Sequence, residues 1–143
     1  MTITRYQVEQ ILSRRIGGYL TVASMTSDSG VNPWLTDPLR WSLTAMGYTT
    51  ASYTAVTDSD LAGVADARIG ALLDLTELRA LDAVYSNLTA VSNKAGPLQD
   101  DYNDLARRLE KMRDNKRAEI LAVHGIDLGV GNAPARLAGM AAL

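Results

Sequence analysis

Residues 58–92 decide the fold class of this 143-residue chain, and they read DSDLAGVADARIGALLDLTELRALDAVYSNLTAVS. Apolar residues recur in this stretch at spacings of three or four, which is the period of one helix face. The pattern predicts a single continuous helix about 50 Å long. A compact domain of this length is only roughly 37 Å across. We therefore expect the helix to bend, to project, or to pack against other copies of the chain.

A second long helix is predicted over residues 98–124, with Gly125 at its end. Its apolar residues follow one another at alternating spacings of four and three, which is a heptad pattern; they are Leu98, Tyr102, Leu105, Leu109 and Met112. The turn between the two helices contains Gly96 and Pro97. A short connection of this kind predicts an antiparallel helical hairpin.

The N-terminal segment predicts a third helix. Thr4 and Gln7 have the spacing of a capping box, and an apolar stripe then runs to about Met25. Gly17 and Gly18 interrupt the stripe, so the helix either ends there or kinks. For residues 18–25 a short strand is the alternative, and we favour the helix.

A shorter helix is predicted after Asp37, which we expect to act as its N-cap because Pro38 follows. Gly47 is placed to end this helix. Residues 48–57 are rich in β-forming residues but have no strand partner in the sequence, so an extended linker is favoured. The fold class is therefore all-α: a small helical bundle with a long antiparallel hairpin.

The last 19 residues differ from the rest of the chain, and we divide it into a helical bundle domain (1–124) and a flexible, apolar C-terminal tail (125–143). The tail has three interpretations: it folds back onto its own bundle, it is disordered, or it docks on another protein. Docking is favoured because disordered tails are usually polar. The residues that would dock are Ile126, Leu128, Val130, Leu137, Met140 and Leu143.

Composition and charge exclude several classes of function. There is no cysteine, which removes disulfides and thiolate chemistry, and no apolar run approaches the ~20 residues that span a bilayer. The N-terminus lacks the apolar core of a signal peptide. His124, the only histidine, is interpreted as a helix-end residue, and no nucleophile can be paired with it. We therefore expect a soluble, cytoplasmically made protein that is neither an enzyme nor a cofactor or metal binder.

Small residues mark one face of the first long helix, where Gly63, Ala67 and Gly70 follow one another at spacings of four and three. A glycine in a helix interior costs about 1 kcal/mol relative to alanine, so a close backbone approach would compensate for it. Three explanations stay open: simple tolerance, a helix–helix contact within the chain, and a helix–helix contact between subunits.

Acidic and basic residues are unevenly distributed. Residues 58–92 carry two basic and six acidic side chains, among them Asp66, Asp74 and Asp82 at intervals of eight residues. These intervals drift around a helix, which disfavours a metal site. Residues 107–117 carry six basic and two acidic side chains. Spacings of three and four predict that much of this charge is paired within the helix, and contact with a nucleic acid is the alternative.

The order of elements resembles the small head–tail adaptor (connector) proteins of tailed bacteriophages. The resemblance lies in residues 34–47, WLTDPLRWSLTAMG, in residues 57–61, TDSDL, which open the long helix, and in the hairpin with its trailing tail. It implies a structural protein of the virion neck that forms a ring, commonly of twelve copies. Such a ring joins the portal protein to the tail or stopper protein around the DNA channel.

The resemblance also implies that the tail anchors on the portal or on a neighbouring subunit. As a hypothesis, Asp66, Asp74 and Asp82 would face the channel and repel passing double-stranded DNA, which is not bound sequence-specifically. The first alternative is a cytosolic helical protein-interaction module that dimerises through its hairpin. The second is a DNA-binding regulator that uses residues 107–117.

Overall fold

The computed structural model describes residues 2–22, 34–52, 55–95 and 99–128. In these ranges the chain forms five α-helices: α1 (Arg5–Val22), α2 (Thr36–Ala45), α3 (Asp58–Leu61), α4 (Ile69–Ala95) and α5 (Gln99–His124). A short 3₁₀ helix (Asp66–Arg68) precedes α4, and the same ranges contain no strand. The predicted all-α bundle is confirmed. None of the helices in the described ranges is long and apolar enough to cross a membrane.

Helix α4 is the centre of the bundle, because α1, α2 and α5 all pack against it. Every side chain from Ala71 to Leu78 is buried. Helix α5 lies antiparallel to α4: Gly70 at the start of α4 meets His124 at the end of α5, and Asp82 meets Arg113 near the middle of both helices. The predicted hairpin is therefore confirmed.

The continuous helix predicted over residues 58–92 is wrong. The chain leaves the helical conformation after the short α3, is extended at Ala65 (φ −65°, ψ 145°), and re-enters a helix only through the 3₁₀ turn. Gly63 lies in this break and supports a helix poorly. The Arg68 guanidinium donates to the Met46 carbonyl oxygen at 3.1 Å, which ties the break to α2.

This correction removes the mismatch of size. Helix α4 has 27 residues, so it is about 40 Å long. That length is close to the roughly 37 Å diameter expected for a compact domain of this size. The length of the helix therefore no longer requires it to project from the molecule.

Helix α1 begins with the predicted capping box and continues past the glycine pair. The Thr4 amide donates to Gln7 Oε1 at 3.0 Å, and the Gln7 amide donates to Thr4 Oγ1 at 3.2 Å. The helix kinks at Ile16 (φ −132°, ψ 18°), directly before the two glycines. Residues 18–22 are helical, as favoured, and residues 23–25 lie outside the described ranges.

Helix α2 begins two residues earlier than predicted. Leu35 is its N-cap and makes no side-chain cap, so the expected role of Asp37 as the N-cap is wrong. The Leu39 amide donates to the Leu35 carbonyl oxygen at 3.0 Å, so Asp37 already lies inside the first turn. Its carboxylate accepts hydrogen bonds from Arg40 at 3.0 Å and from Arg79 of α4 at 3.3 Å. Gly47 ends the helix in a left-handed conformation (φ 91°), as predicted.

Candidate functional site

The most elaborate polar feature joins three helices. We call it the ion cluster, and it consists of Arg15 from α1, Asp74 and Glu77 from α4, and Lys116 and His124 from α5. Asp74 and Glu77 are only 8% and 6% exposed. Charged groups at this depth require partners, because an unpaired buried charge is strongly destabilising.

The two carboxylates share their cations. Arg15 Nη1 donates to Asp74 Oδ1 at 3.1 Å and to Glu77 Oε1 at 3.0 Å. Lys116 Nζ lies 3.3 Å from Glu77 Oε2 and 3.6 Å from Asp74 Oδ1. His124 Nε2 lies 2.7 Å from Asp74 Oδ2. Each carboxylate therefore faces cations from two outer helices.

The environment of Lys116 favours its charged form. Burial lowers the pKa of Lys116, but the nearby carboxylates of Glu77, Asp74 and Glu119 outweigh that effect, and the net pKa is raised above its ordinary value of 10.5. The lysine therefore remains a cation throughout the neutral range. Its charge offsets that of Glu77 in the packed interface.

The ion cluster is a structural connection between three helices. Among the described side chains, His124 Nε2 has Asp74 Oδ2 as its partner. No group of described acidic and histidine side chains has the arrangement of a metal site. What the cluster does is fix α1 and α5 against α4.

The three aspartates do not share a surface. Asp74 is buried in the ion cluster, so its carboxylate serves the bundle and is not a candidate for the channel. Asp82 Oδ1 lies 2.6 Å from Arg113 Nε, in an ion pair whose side chains are 28% and 21% exposed. Asp66 is exposed at the start of the 3₁₀ turn. For the exposed Asp66 and the partly exposed Asp82, the channel-facing role stays a prediction.

The small residues also separate. Gly63 and Ala67 are exposed, and a Cβ added at Gly63 would meet nothing within 4 Å. A Cβ added at Gly70 would lie 3.5 Å from His124 Cε1, so this glycine is next to α5. Gly70 therefore lies at a helix–helix contact within the chain, and for Gly63 and Ala67 contact between subunits stays a prediction.

Most of the basic side chains in residues 107–117 have intramolecular partners. Arg107 pairs with Asp104 and Arg117 pairs with Asp114, at 3.0 and 3.1 Å. Arg113 pairs with Asp82 of α4 instead of with Glu110 of its own helix. Tyr85 donates to Glu110 at 2.8 Å, and this hydrogen bond raises the pKa of the phenol. The segment therefore binds α4 and itself, which favours the paired-charge prediction.

The predicted docking tail is described only at its beginning. Ile126 and Leu128 are half-buried and pack against the core. Val130, Leu137, Met140 and Leu143 lie outside the described residues. Just before the tail, Leu121 is 50% and Val123 is 66% exposed.

A groove of about 540 Å³ runs between α1 and the start of α4, and we call it the α1 groove. Its polar rim and apolar floor are formed by Thr2, Ile3, Gln7, Gln10, Ile11, Arg14, Asp66 and Ile69. The volume falls in the range of sites that bind small apolar groups. The sequence predicts one wall of the groove, because residues 7, 10, 11 and 14 follow the helix period and therefore share a face of α1. It does not predict the opposite wall, since the positions of Asp66 and Ile69 depend on the break in the helix before α4.

Comparisons of the chain with known protein families, with curated proteins and with solved structures give no match.

Proposed function

We propose that this chain is a structural protein of a tailed-bacteriophage virion, a head–tail adaptor that forms a ring between the portal protein and the tail or stopper protein. The proposal is supported by the resemblance in residues 34–47 and 57–61 and by the all-α bundle with its hairpin. In it, double-stranded DNA passes through the ring without sequence-specific contacts.

One observation carries the proposal: the end of α5 exposes apolar surface that continues into an apolar tail. Leu121 and Val123 lie on either side of the fully buried Ile120 and remain 50% and 66% exposed. Residues 129–143 then carry a single charged side chain, Arg136. The Leu121 and Val123 side chains are two residues apart and so lie on different sides of the helix. The proposed association surface therefore consists of the end of α5 together with the apolar segment that follows it in the sequence. The proposed occupants are the portal protein and neighbouring subunits.

The hairpin itself is a poor dimerisation surface, which weakens the alternative of a dimerising module. Its apolar face is already used within one copy, since residues 71–78 are all buried and Leu109 and Ile120 of α5 are fully covered. A second copy could reach this surface only if the bundle opened. Association through the end of α5 requires no such opening.

The DNA-binding alternative is weakened by the charges. Arg107, Arg113 and Arg117 all have carboxylate partners within the chain. A protein that grips DNA needs basic side chains free to contact phosphates. In the adaptor, Asp66 is the exposed aspartate that would repel DNA.

The test is purification of the native protein from infected cells after mild crosslinking, with identification of its partners by mass spectrometry. Recovery of portal and tail-completion proteins is the expected result. Recovery of only the chain itself, or of cellular regulators, would end the adaptor proposal. The double variant Leu121→Ser/Val123→Ser should keep the fold and lose these partners. Lys111→Ser, another exposed change on α5, is the matched control and should retain them.

The tail should be removed after Leu128 and not after Gly125. Ile126 and Leu128 pack against the core, so a deletion that includes them would destabilise the bundle as well as remove the docking segment. Deletion of residues 129–143 is expected to leave a folded protein that no longer joins the ring. A folded protein that still assembles would show that the tail is dispensable.

A further inference from the structure

We infer that the α1 groove binds the chain's own C-terminal segment, residues 129–143, so that the tail is held on its own bundle until a partner takes it. This self-docking does not rest on the adaptor proposal. It concerns the isolated chain, and it would apply to any partner that competes for the tail.

The first argument is chemical. The floor of the groove is apolar, with Ile3 buried and Ile11 and Ile69 half-buried. The segment offers Leu137, Met140 and Leu143 as apolar side chains to fill it. Moving such side chains out of water stabilises the docked state in proportion to the apolar area that is covered.

The second argument is charge. The segment carries one charged side chain, Arg136, directly before its apolar end. The rim of the groove holds one cation, Arg14, and one carboxylate, Asp66, so their charges cancel. A nearly uncharged apolar segment therefore suits a groove with an apolar floor and no net charge on its rim.

The third argument is position. Helix α5 ends beside the groove, since His124 contacts the Cβ position of Gly70, the residue after Ile69. Gly125 then turns the chain in a left-handed conformation (φ 70°), and Ile126 and Leu128 lie back on the core. The chain therefore leaves the described fold close to the wall of the groove.

The length is sufficient. Met140 is the twelfth residue after Leu128, and twelve extended residues reach at most about 40 Å. That is comparable to the whole length of α4, whereas the groove begins within a residue of Gly70. The apolar end can therefore reach the groove from its own chain without a second copy.

A spin label on the full-length protein tests the inference. The chain has no cysteine, so Ala141→Cys gives a single labelling site next to the apolar side chains that would dock, and it leaves Leu137, Met140 and Leu143 unchanged. In dilute ¹⁵N-labelled protein, the label should attenuate the amide signals of Gln10 and Ile69, while those of Asp82 and Ser86 on the far half of α4 should keep their intensity. Uniform intensity across α1 and α4 would overturn the inference.

Two further samples separate the other occupants. In the first sample, spin-labelled protein without ¹⁵N is mixed with ¹⁵N wild-type protein that carries no spin label, and no attenuation is expected. Attenuation confined to this mixture would assign the groove to a second copy and overturn self-docking. Gln10→Trp changes an exposed residue and fills the groove, so it should abolish the attenuation. Lys111→Trp on α5 is the control and should leave it unchanged. Attenuation that persists in the Gln10→Trp protein would overturn the inference. None of these results bears on the crosslinking test of the adaptor proposal.

Discussion

Helices α4 and α5 have nearly the same length, 27 and 26 residues, and they pack against each other, yet they are built differently. Residues 71–78 of α4 are buried on every side, even at Asp74, Thr76 and Glu77. The described side chains of α5 are mostly exposed or half-buried, with Leu109 and Ile120 as its buried positions. The central helix has three neighbours, and the outer one has fewer.

The difference shows what a central position requires of polar residues. Each buried polar side chain of α4 has a partner. Thr76 Oγ1 donates to the Leu72 carbonyl oxygen at 2.6 Å and lies 3.0 Å from the Ser42 hydroxyl. The carboxylates of Asp74 and Glu77 pair with the cations of the ion cluster. On the outer face of α5, Arg107 and Asp104 lie in solvent and form a pair that contributes little. A charge therefore has structural weight on α4 and on the side of α5 that faces it, where Lys116 and His124 lie, and little on the outer face of α5.

The largest effect is expected from reversing a charge at the centre. Asp74→Lys would place a further cation beside Arg15 and Lys116, so the loss should exceed the roughly 3–5 kcal/mol of a broken buried ion pair. We expect the Asp74→Lys protein to show no cooperative unfolding transition when its circular dichroism is measured in increasing urea. Asp104→Lys, at an exposed site in a surface pair with Arg107, is the matched control and should change the free energy of unfolding by less than about 1 kcal/mol. Equal effects at the two sites would contradict the comparison.

Truncation of apolar side chains should show the same contrast. Leu75 is fully buried on α4, so Leu75→Ala should lower the free energy of unfolding by about 2–5 kcal/mol through lost contacts and a cavity. Leu121→Ala on α5, where half of the side chain is exposed, should cost less than about 0.5 kcal/mol. Urea denaturation measures both values. A large loss at Leu121 would mean that the end of α5 is covered in solution.

The ion cluster predicts a dependence on alkaline pH. The pKa of Lys116 is higher in the folded state than its ordinary value of 10.5, so its stabilising contribution is complete below that value and is lost as the pH rises through the raised pKa. Urea midpoints at pH 9 and pH 11 should therefore differ less in Lys116→Met than in the wild type.

Two controls make this measurement specific. Lys111→Met removes an exposed lysine and should retain the wild-type difference between the two midpoints. Tyr85→Phe removes the phenol, whose pKa is also raised. This variant therefore measures how much the phenol contributes to the difference between the two midpoints. An identical pH dependence in Lys116→Met and in the wild type would contradict the role assigned to the lysine.

The smallest effect concerns the glycines at and before the start of α4. Gly70→Ala should raise the free energy of unfolding by about 0.5–1 kcal/mol, because alanine loses less backbone entropy and its Cβ would meet His124 at an ordinary 3.5 Å. Gly63→Ala, in open space, should be neutral or gain a similar amount. Thermal unfolding measures both, and a loss at Gly70 would show that α5 approaches more closely than described. If either variant is stable but fails to assemble, that glycine lies between subunits.

The sequence predicts much of the fold because several signals are local. The Thr4–Gln7 capping box, the end of α2 at Gly47 and the end of α5 before Gly125 all depend on residues within one helical turn. The break before α4 is harder to predict, because Leu61 and Val64 keep the helical spacing across it. Only Gly63 signals it, and the contact between Arg68 and Met46 that holds it joins residues 22 positions apart.

The sites are predicted less well, since they depend on packing. Arg15 and Asp74 are 59 residues apart in the chain, and no spacing rule connects them. Asp66, Asp74 and Asp82 look equivalent in the sequence because their interval is constant. The break and the ion cluster give them three different environments. His124 is a helix-end residue, as predicted, and its bond to Asp74 follows only from the antiparallel pairing of α4 with α5.

The central position of α4 also has a consequence for hydrogen exchange. Because α1, α2 and α5 all rest on this one helix, the loss of a single outer helix would still leave two sides of it covered. The amide protons of residues 71–81 should therefore exchange only when the whole domain opens, and their slow exchange would report the global free energy of unfolding. The amides of the outer face of α5 should exchange through smaller openings, so the bundle would lose its order from the outside toward α4.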